Sequence, residues 1–128
     1  MSGPKMDGAG IAKMATRDEA QLQLTRIHAI VERMAIEVRG QKNTAQMRQQ
    51  IQRAATPLVG LLKGQFGMIS DLVTALILVL SRGGSDQSRL RSLREFVGQI
   101  RTALEIAVNK VKEQHTSGGD AEKAPKAT

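Results

Sequence analysis

The first place where this sequence could do chemistry is a histidine and a carboxylate at helical spacing. His28 and Glu32 are four residues apart, so on a helix they share one face. A dimetal centre in a helical bundle needs several inward-facing glutamates and a second histidine on facing helices. The other histidine, His115, lies near the C-terminus, and the chain contains no cysteine. We interpret His28 and Glu32 as a surface ion pair and predict no metal site.

No other group of residues has the pattern of a catalytic site. The chain has no Walker-type phosphate loop, no His-Glu-x-x-His zinc motif and no Gly-x-Ser-x-Gly nucleophile motif. Catalysis needs converging titratable groups with shifted pKa values, and residues 38–94 contain no glutamate at all. We therefore predict a protein that is not an enzyme and holds no cofactor.

Arginine is the one residue type concentrated enough to suggest a ligand. The formal net charge is +7, and the acid-free stretch between Glu37 and Asp71 holds five basic residues. A second basic group begins at Arg82 and follows the last predicted helix. Guanidinium groups bind phosphates and carboxylates well. If both groups share a face, the predicted polyanion contacts are Arg48, Arg53, Arg89, Arg91, Arg94 and Arg101.

Two observations limit that nucleic-acid hypothesis. With two Phe, no Tyr and no Trp, the chain lacks the aromatic side chains that stack on unpaired bases, so binding would be non-specific. A basic surface is also compatible with ordinary solvation. The solvated face stays open as the simpler interpretation.

Composition favours one small helical domain. The 128 residues suffice for a single domain, and a core of Leu, Ile, Val, Met and Ala suits helix packing better than a sheet. The absence of cysteine excludes disulfides and thiolate metal sites. Residues 1–16 lack the apolar segment of a signal peptide, so we expect a cytoplasmic protein.

The first predicted helix begins at a capping box. Thr16 and Glu19 have the required spacing, and the small polar residues 1–15 before them predict a flexible arm. Apolar residues then recur at steps of three and four up to Val38, and Gly40 predicts the end of the helix.

The middle of the chain allows two interpretations. Asn43 with Gln46 predicts a second helix start, and Pro57 predicts either a kink or a new start. Gly60, Gly64 and Gly67 follow at steps of four and three. They either let a neighbouring backbone approach or mark a break, and we favour the break.

Residues 72–80 form an apolar run that predicts a third helix with protein on all sides, with a buried strand as the alternative. A membrane span over residues 57–81 is disfavoured, because Lys63, Gln65, Ser70 and Asp71 interrupt that stretch.

The last predicted helix has the clearest apolar periodicity in the sequence. Apolar residues from Leu90 to Val111 follow strict three and four spacing for three heptads, after a start signal at Ser85. Phe96 and Ala103 widen this apolar face, as expected in a bundle rather than a two-stranded coiled coil. Residues 115–128 contain no large apolar side chain and are predicted to be disordered.

Together these elements predict an all-α fold over residues 16–114, a small antiparallel bundle of four helices or of three with a long Pro-kinked middle helix. We predict an interaction or scaffold protein that self-associates or binds another helical protein, with non-specific nucleic-acid binding as the alternative. The predicted interaction seam comprises Leu24, Ile27, Val31, Met34, Leu90, Leu93, Val97, Ile100 and Leu104.

Overall fold

The computed structural model describes residues 7–115, and within them the chain forms four α-helices and no strand. The helices are α1 Gly8–Arg39, α2 Ala45–Lys63, α3 Gly67–Ser81 and α4 Asp86–His115. This confirms the predicted all-α bundle, in its four-helix form. The predicted tail lies outside the described residues except for His115, where α4 ends.

The four helices form an antiparallel bundle in which each packs against its neighbours in sequence and α1 also packs against α4. The short connections between successive helices require this up and down order. Helix α1 therefore lies diagonally across from α3, and α2 from α4. The core between them is aliphatic, and its largest fully buried side chains include Leu24, Met34, Ile51, Leu58, Leu76, Leu93 and Leu104.

The helices differ in length, and this leaves part of the bundle with two helices only. Helices α1 and α4 have 32 and 30 residues, against 19 and 15 for α2 and α3. Arg33 donates a hydrogen bond to Gln50 across α1 and α2. Counting the 13 residues from Gln50 to Lys63 places the end of α2 level with residue 20 of α1 (33 − 13 = 20). The first three turns of α1 thus extend beyond α2 and lie against the end of α4, and we call this two-helix part the overhang.

The start of α1 differs from the sequence prediction. The helix begins at Gly8, so residues 8–15 are helical rather than part of a flexible arm, and Thr16 lies inside the helix. Asp7 is the N-cap, and its carboxylate accepts a hydrogen bond from the backbone N–H of Gly10 at 2.7 Å. Gly10 and Val111 are both buried in the overhang. The Asp7 cap therefore starts the helix within a segment whose glycines suggested disorder. Residues 1–6 lie outside the described part.

The end of α1 is set by two residues rather than one. Gly40 is the C-cap but has an ordinary negative φ, and Gln41 adopts the left-handed conformation with φ of 58°. The N–H of Lys42 then donates to the carbonyl of Glu37 at 2.9 Å, as in a Schellman motif. The glycine thus stands one position before the residue that needs its conformational freedom.

The middle of the chain breaks after Pro57 rather than at it. Helix α2 continues through Pro57 to Lys63, and the break comes at residues 64–66. Pro57 is exposed, so the backbone carbonyl that loses its helical donor can be solvated. A Cβ added at Gly60, Gly64 or Gly67 would meet nothing within 4 Å. These glycines therefore do not mediate close helix packing.

Helix α3 starts earlier and is less enclosed than predicted. It begins at Gly67, and Ser70 does not cap it but donates from its hydroxyl to the carbonyl of Val59 in α2 at 3.0 Å. The prediction that protein surrounds this helix is wrong, because Leu78 is 57% exposed and Met68 is 83% exposed. Helix α3 occupies a corner of the bundle, so one of its apolar faces points outward.

Candidate functional site

The nine residues of the predicted interaction seam lie in the core of the single chain. Each of them is at most 9% exposed, and together they form much of the contact of α1 and α4 with the rest of the bundle. In the closed bundle they are covered by the chain's own helices. Any contact with a second molecule must therefore use a different surface.

A second apolar series lies on the opposite side of α1, and we call it the outer strip. Its members are Ile11, Ala15, Leu22, Ala29 and Ile36. The last four are spaced seven residues apart, and Ile11 stands one turn before Ala15, so all five share one face. All are exposed, the large ones by 60% for Ile11, 49% for Leu22 and 58% for Ile36. Helix α1 thus has an apolar face towards the core and a sparser one towards solvent.

Charged residues flank the outer strip in an uneven order along α1. Glu19 lies one turn before Leu22, beside Asp18, which is paired with Arg17 at 3.1 Å. Arg26, His28 and Arg33 follow within the next three turns. Glu19 and Arg33 lie on the flank that faces α2, because Glu19 lines the groove between the two helices and Arg33 bonds to Gln50. Arg26, seven residues after Glu19 and seven before Arg33, lies on that flank too.

Exposed apolar residues on other helices are fewer and more scattered. Met68 and Leu78 on α3 are separated by the charged Asp71. On α4, Ile106 is 52% exposed and lines an open depression with Gly98, Thr102 and other residues of the same helix. Neither helix carries an exposed apolar series as long as the outer strip.

The histidine and carboxylate pair belongs to a small ionic cluster between α1 and α4. Arg94 donates two hydrogen bonds to the Glu32 carboxylate, at 2.8 and 3.0 Å, and His28 Nε2 lies 3.7 Å from the same carboxylate. The Arg94 hydrogen bonds are the main cause that lowers the pKa of Glu32 below its ordinary value, and the same bonds raise the pKa of Arg94. All three side chains are 42–46% exposed, so the cluster stabilises a surface contact of two helices.

The six predicted polyanion contacts do not all lie in one patch. Arg48 and Arg53 are on α2 and the other four on α4, and these helices lie diagonally across the bundle. Arg89 donates to the Asp86 carboxylate and to the backbone carbonyl of Arg82. Arg94 is bonded to Glu32 and Arg48 donates to the Thr44 hydroxyl at 3.3 Å, so three of the six guanidinium groups are already engaged within the chain.

The bundle instead concentrates positive charge at one end. The end of α1, the start of α2, the end of α3 and the start of α4 meet there. Within residues 36–48 and 79–92 the acidic residues are Glu37 and Asp86 alone. We call this region the basic end, and its basic residues are Arg39, Lys42, Arg48, Arg82, Arg89 and Arg91.

Residues 7–115 contain neither a candidate metal cluster nor a candidate membrane span. Nowhere in that range do three His, Asp or Glu side chains come together as a metal ion would require. Of the four helices described, none combines the length and the apolar character that crossing a membrane demands.

No family model, no curated protein and no solved structure is significantly similar to the chain.

The sequence carried one signal for the outer strip, and the predicted interaction seam did not include it. Ile36 lies off the inner series, and seven-residue steps back from it lead to Ala29, Leu22 and Ala15. The stronger inner series obscured this pattern because only Leu22 and Ile36 among the four are large. The basic end had no such signal, since it depends on which helix ends meet in space.

Proposed function

We propose that this protein is a non-enzymatic interaction or scaffold protein, which self-associates or binds a partner helix through the outer strip of α1. The observation that carries the proposal is the row of half-exposed apolar side chains at seven-residue spacing along a helix that is otherwise anchored in the bundle. Exposed apolar rows of this kind favour contact with another helix, because burial removes apolar surface from water.

Leu22 offers the sharpest test, because it is the middle large residue of the outer strip. We expect wild-type protein to associate at tens of micromolar, as measured by light scattering, and Leu22→Gln to shift the mass towards the monomer. Leu22 is 49% exposed in the single chain, so this change should leave folding by circular dichroism unaltered.

Ile106→Gln is the matched control, since Ile106 is similarly exposed but lies on α4. It should leave association unchanged. If both variants weakened association equally, the contact would not be specific to α1. If Ile106→Gln alone abolished association, the contact would lie on α4. A partner helix from another protein would leave the wild type monomeric, and Leu22→Gln would then abolish capture of that partner.

The basic end supports a second candidate function, non-specific binding of nucleic acid. Six basic residues against two acidic ones at one end of the bundle would attract phosphate groups. We expect a gel shift with duplex DNA at low salt, with a dissociation constant of micromolar order that rises steeply with salt. Charge reversal at Arg39 and Lys42 should weaken it, whereas reversal at Lys63 and Lys110, at the opposite end, should not. Absence of a shift at low salt would reject this candidate.

A further inference from the structure

We propose that the occupant of the outer strip is a second copy of this chain, and that the two α1 helices pair antiparallel across a twofold axis close to Leu22. This inference rests on the proposed function and adds to it the identity of the partner and the direction of pairing. The order of charges beside the strip supports this pairing.

The apolar residues of the strip match themselves in an antiparallel pair. With the axis just after Leu22, Ile11 of one copy faces Ile36 of the second copy, and the two Leu22 side chains meet near the centre. Ala15 and Ala29 lie between these large residues. Since helix separation depends on side-chain size at the contact, the alanines allow the two helices to approach closely.

The charges are also complementary in this arrangement. A twofold axis perpendicular to the helices brings the flank that faces α2 in one copy against the same flank in the second copy. Glu19 of each copy then faces Arg26 of the other. This contact between opposite charges occurs twice in each dimer.

A parallel pair would lose this complementarity. Equal residue numbers would then lie at the same height and opposite flanks would meet. Glu19 of one copy would no longer lie against Arg26 of the other, and the two Asp18 side chains, seven residues after Ile11 on the strip face, would approach each other. Like charges placed opposite each other destabilise a helix pair. The charge order of α1 therefore favours the antiparallel direction.

A contact through one helix of each copy is small for a protein interface. Stable complexes bury at least about 1,200 Å², and smaller contacts are weak. We therefore expect a dissociation constant between about 1 and 100 μM, measurable by sedimentation velocity over that concentration range.

A charge swap tests the pairing. Glu19→Arg places an arginine against Arg26 of the other copy at both contacts, and Arg26→Glu places two glutamates together there, so each single variant should weaken the dimer about tenfold. The double variant Glu19→Arg/Arg26→Glu exchanges the partners and should restore the wild-type constant to within about threefold. Glu105→Arg on the solvent side of α4 is the control, with the same change of net charge and no expected effect.

Cysteine cross-linking tests the direction independently, and the natural absence of cysteine makes the probe specific. A mixture of Ile11→Cys and Ile36→Cys proteins should form disulfide-linked dimers between the two variants. Ile11→Cys protein alone should not, because its two sulfurs would lie at opposite ends of the contact.

The outcomes separate the two proposals. A wild type that stays monomeric across the concentration range overturns the second copy as partner. A dimer that is sensitive to Leu22→Gln but not to the charge swap, with Ile11→Cys cross-linking to itself, overturns the antiparallel pairing and leaves the proposed function standing. A dimer that is indifferent to Leu22→Gln overturns both.

Discussion

The two faces of α1 show how similar sequence patterns can serve different ends. Both carry apolar residues at helical spacing, yet Leu24, two residues after Leu22, is completely buried while Leu22 is half exposed. The inner face is dense in large side chains and is covered by α2 and α4, whereas the outer strip alternates large residues with alanine. The spacing of residues thus determines which of them share a face of the helix. The packing of the other helices determines whether that face is buried in the core or exposed for contact with another molecule.

The largest expected difference between the faces is in stability. Leu24→Ala should lower the free energy of unfolding by about 2–5 kcal/mol, because it leaves a cavity in a core that is fully shielded from water. The same substitution at Leu22 should change it by less than about 0.5 kcal/mol. Urea unfolding at low protein concentration, where the protein is monomeric, measures both. Similar losses at the two positions would contradict the assignment of the faces.

Two hydroxyl groups, one buried and one exposed, allow a second comparison of stability, with a smaller expected effect. Ser70 is 4% exposed and bonds across helices to the carbonyl of Val59, whereas Thr25 is exposed and bonds to the carbonyl of Gln21 in its own helix. Ser70→Ala should cost about 1 kcal/mol, since a contact between α2 and α3 is lost. Thr25→Ala should be neutral or slightly stabilising, because alanine is the better helix former. Thermal unfolding of both variants would show whether this ranking is correct.

The end of α1 offers a stabilising change. Gln41→Gly should raise the free energy of unfolding by about 0.5–1 kcal/mol, because glycine adopts the left-handed conformation of this position without steric cost. Gly40→Ala is the control at the neighbouring position, where φ is negative and the added Cβ would make ordinary contacts at 3.7 Å. Chemical denaturation should show a gain for the first variant that exceeds any gain for the second.

The smallest expected effect on stability concerns the ion pair of Glu32 and Arg94, on the side of α1 that faces α4. Since Arg94 lowers the pKa of Glu32 in the folded state, the pair stabilises the fold above the pH range in which a free glutamate titrates. That contribution is lost as the pH falls through the lowered pKa of Glu32. Both side chains are over 40% exposed, so we expect at most about 1 kcal/mol.

Glu32→Gln tests this pH dependence. The stability difference between the wild type and the variant should be present at neutral pH and should disappear under acid conditions. A difference that stays constant between pH 7 and pH 3 would show that the pair contributes through packing rather than through charge.

The sequence predicted some elements well because their stabilising interactions are local. The start of α4 was recognised from Ser85, whose hydroxyl does accept a hydrogen bond from the N–H of Ser88, and its heptad series runs uninterrupted to Val111. The first turns of α1 were missed because Gly8 and Gly10 follow the capping residue Asp7 and suggested a flexible arm. The continuity of α2 through Pro57 was left open because it depends on the exposure of that residue.

The candidate site was harder to predict than the fold, for a physical reason. Periodicity identified the inner series of α1 but could not tell whether it would be covered by the chain itself or by another molecule. The arginines posed the same problem, since their grouping in sequence did not reveal that α2 and α4 lie diagonally. Both questions depend on the arrangement of helices, which a linear pattern does not specify.

The overhang has a consequence for the order in which the molecule opens. In the overhang, residues 8–18 and the last turns of α4 are covered by one neighbouring helix. In the four-helix part of the bundle, each helix is covered by two neighbours, which protects its amide protons from exchange more strongly. Hydrogen exchange should therefore be fastest in the overhang and slow progressively towards the middle of the bundle. This gradient would let the first turns of α1 fray and reform without unfolding of the four-helix part.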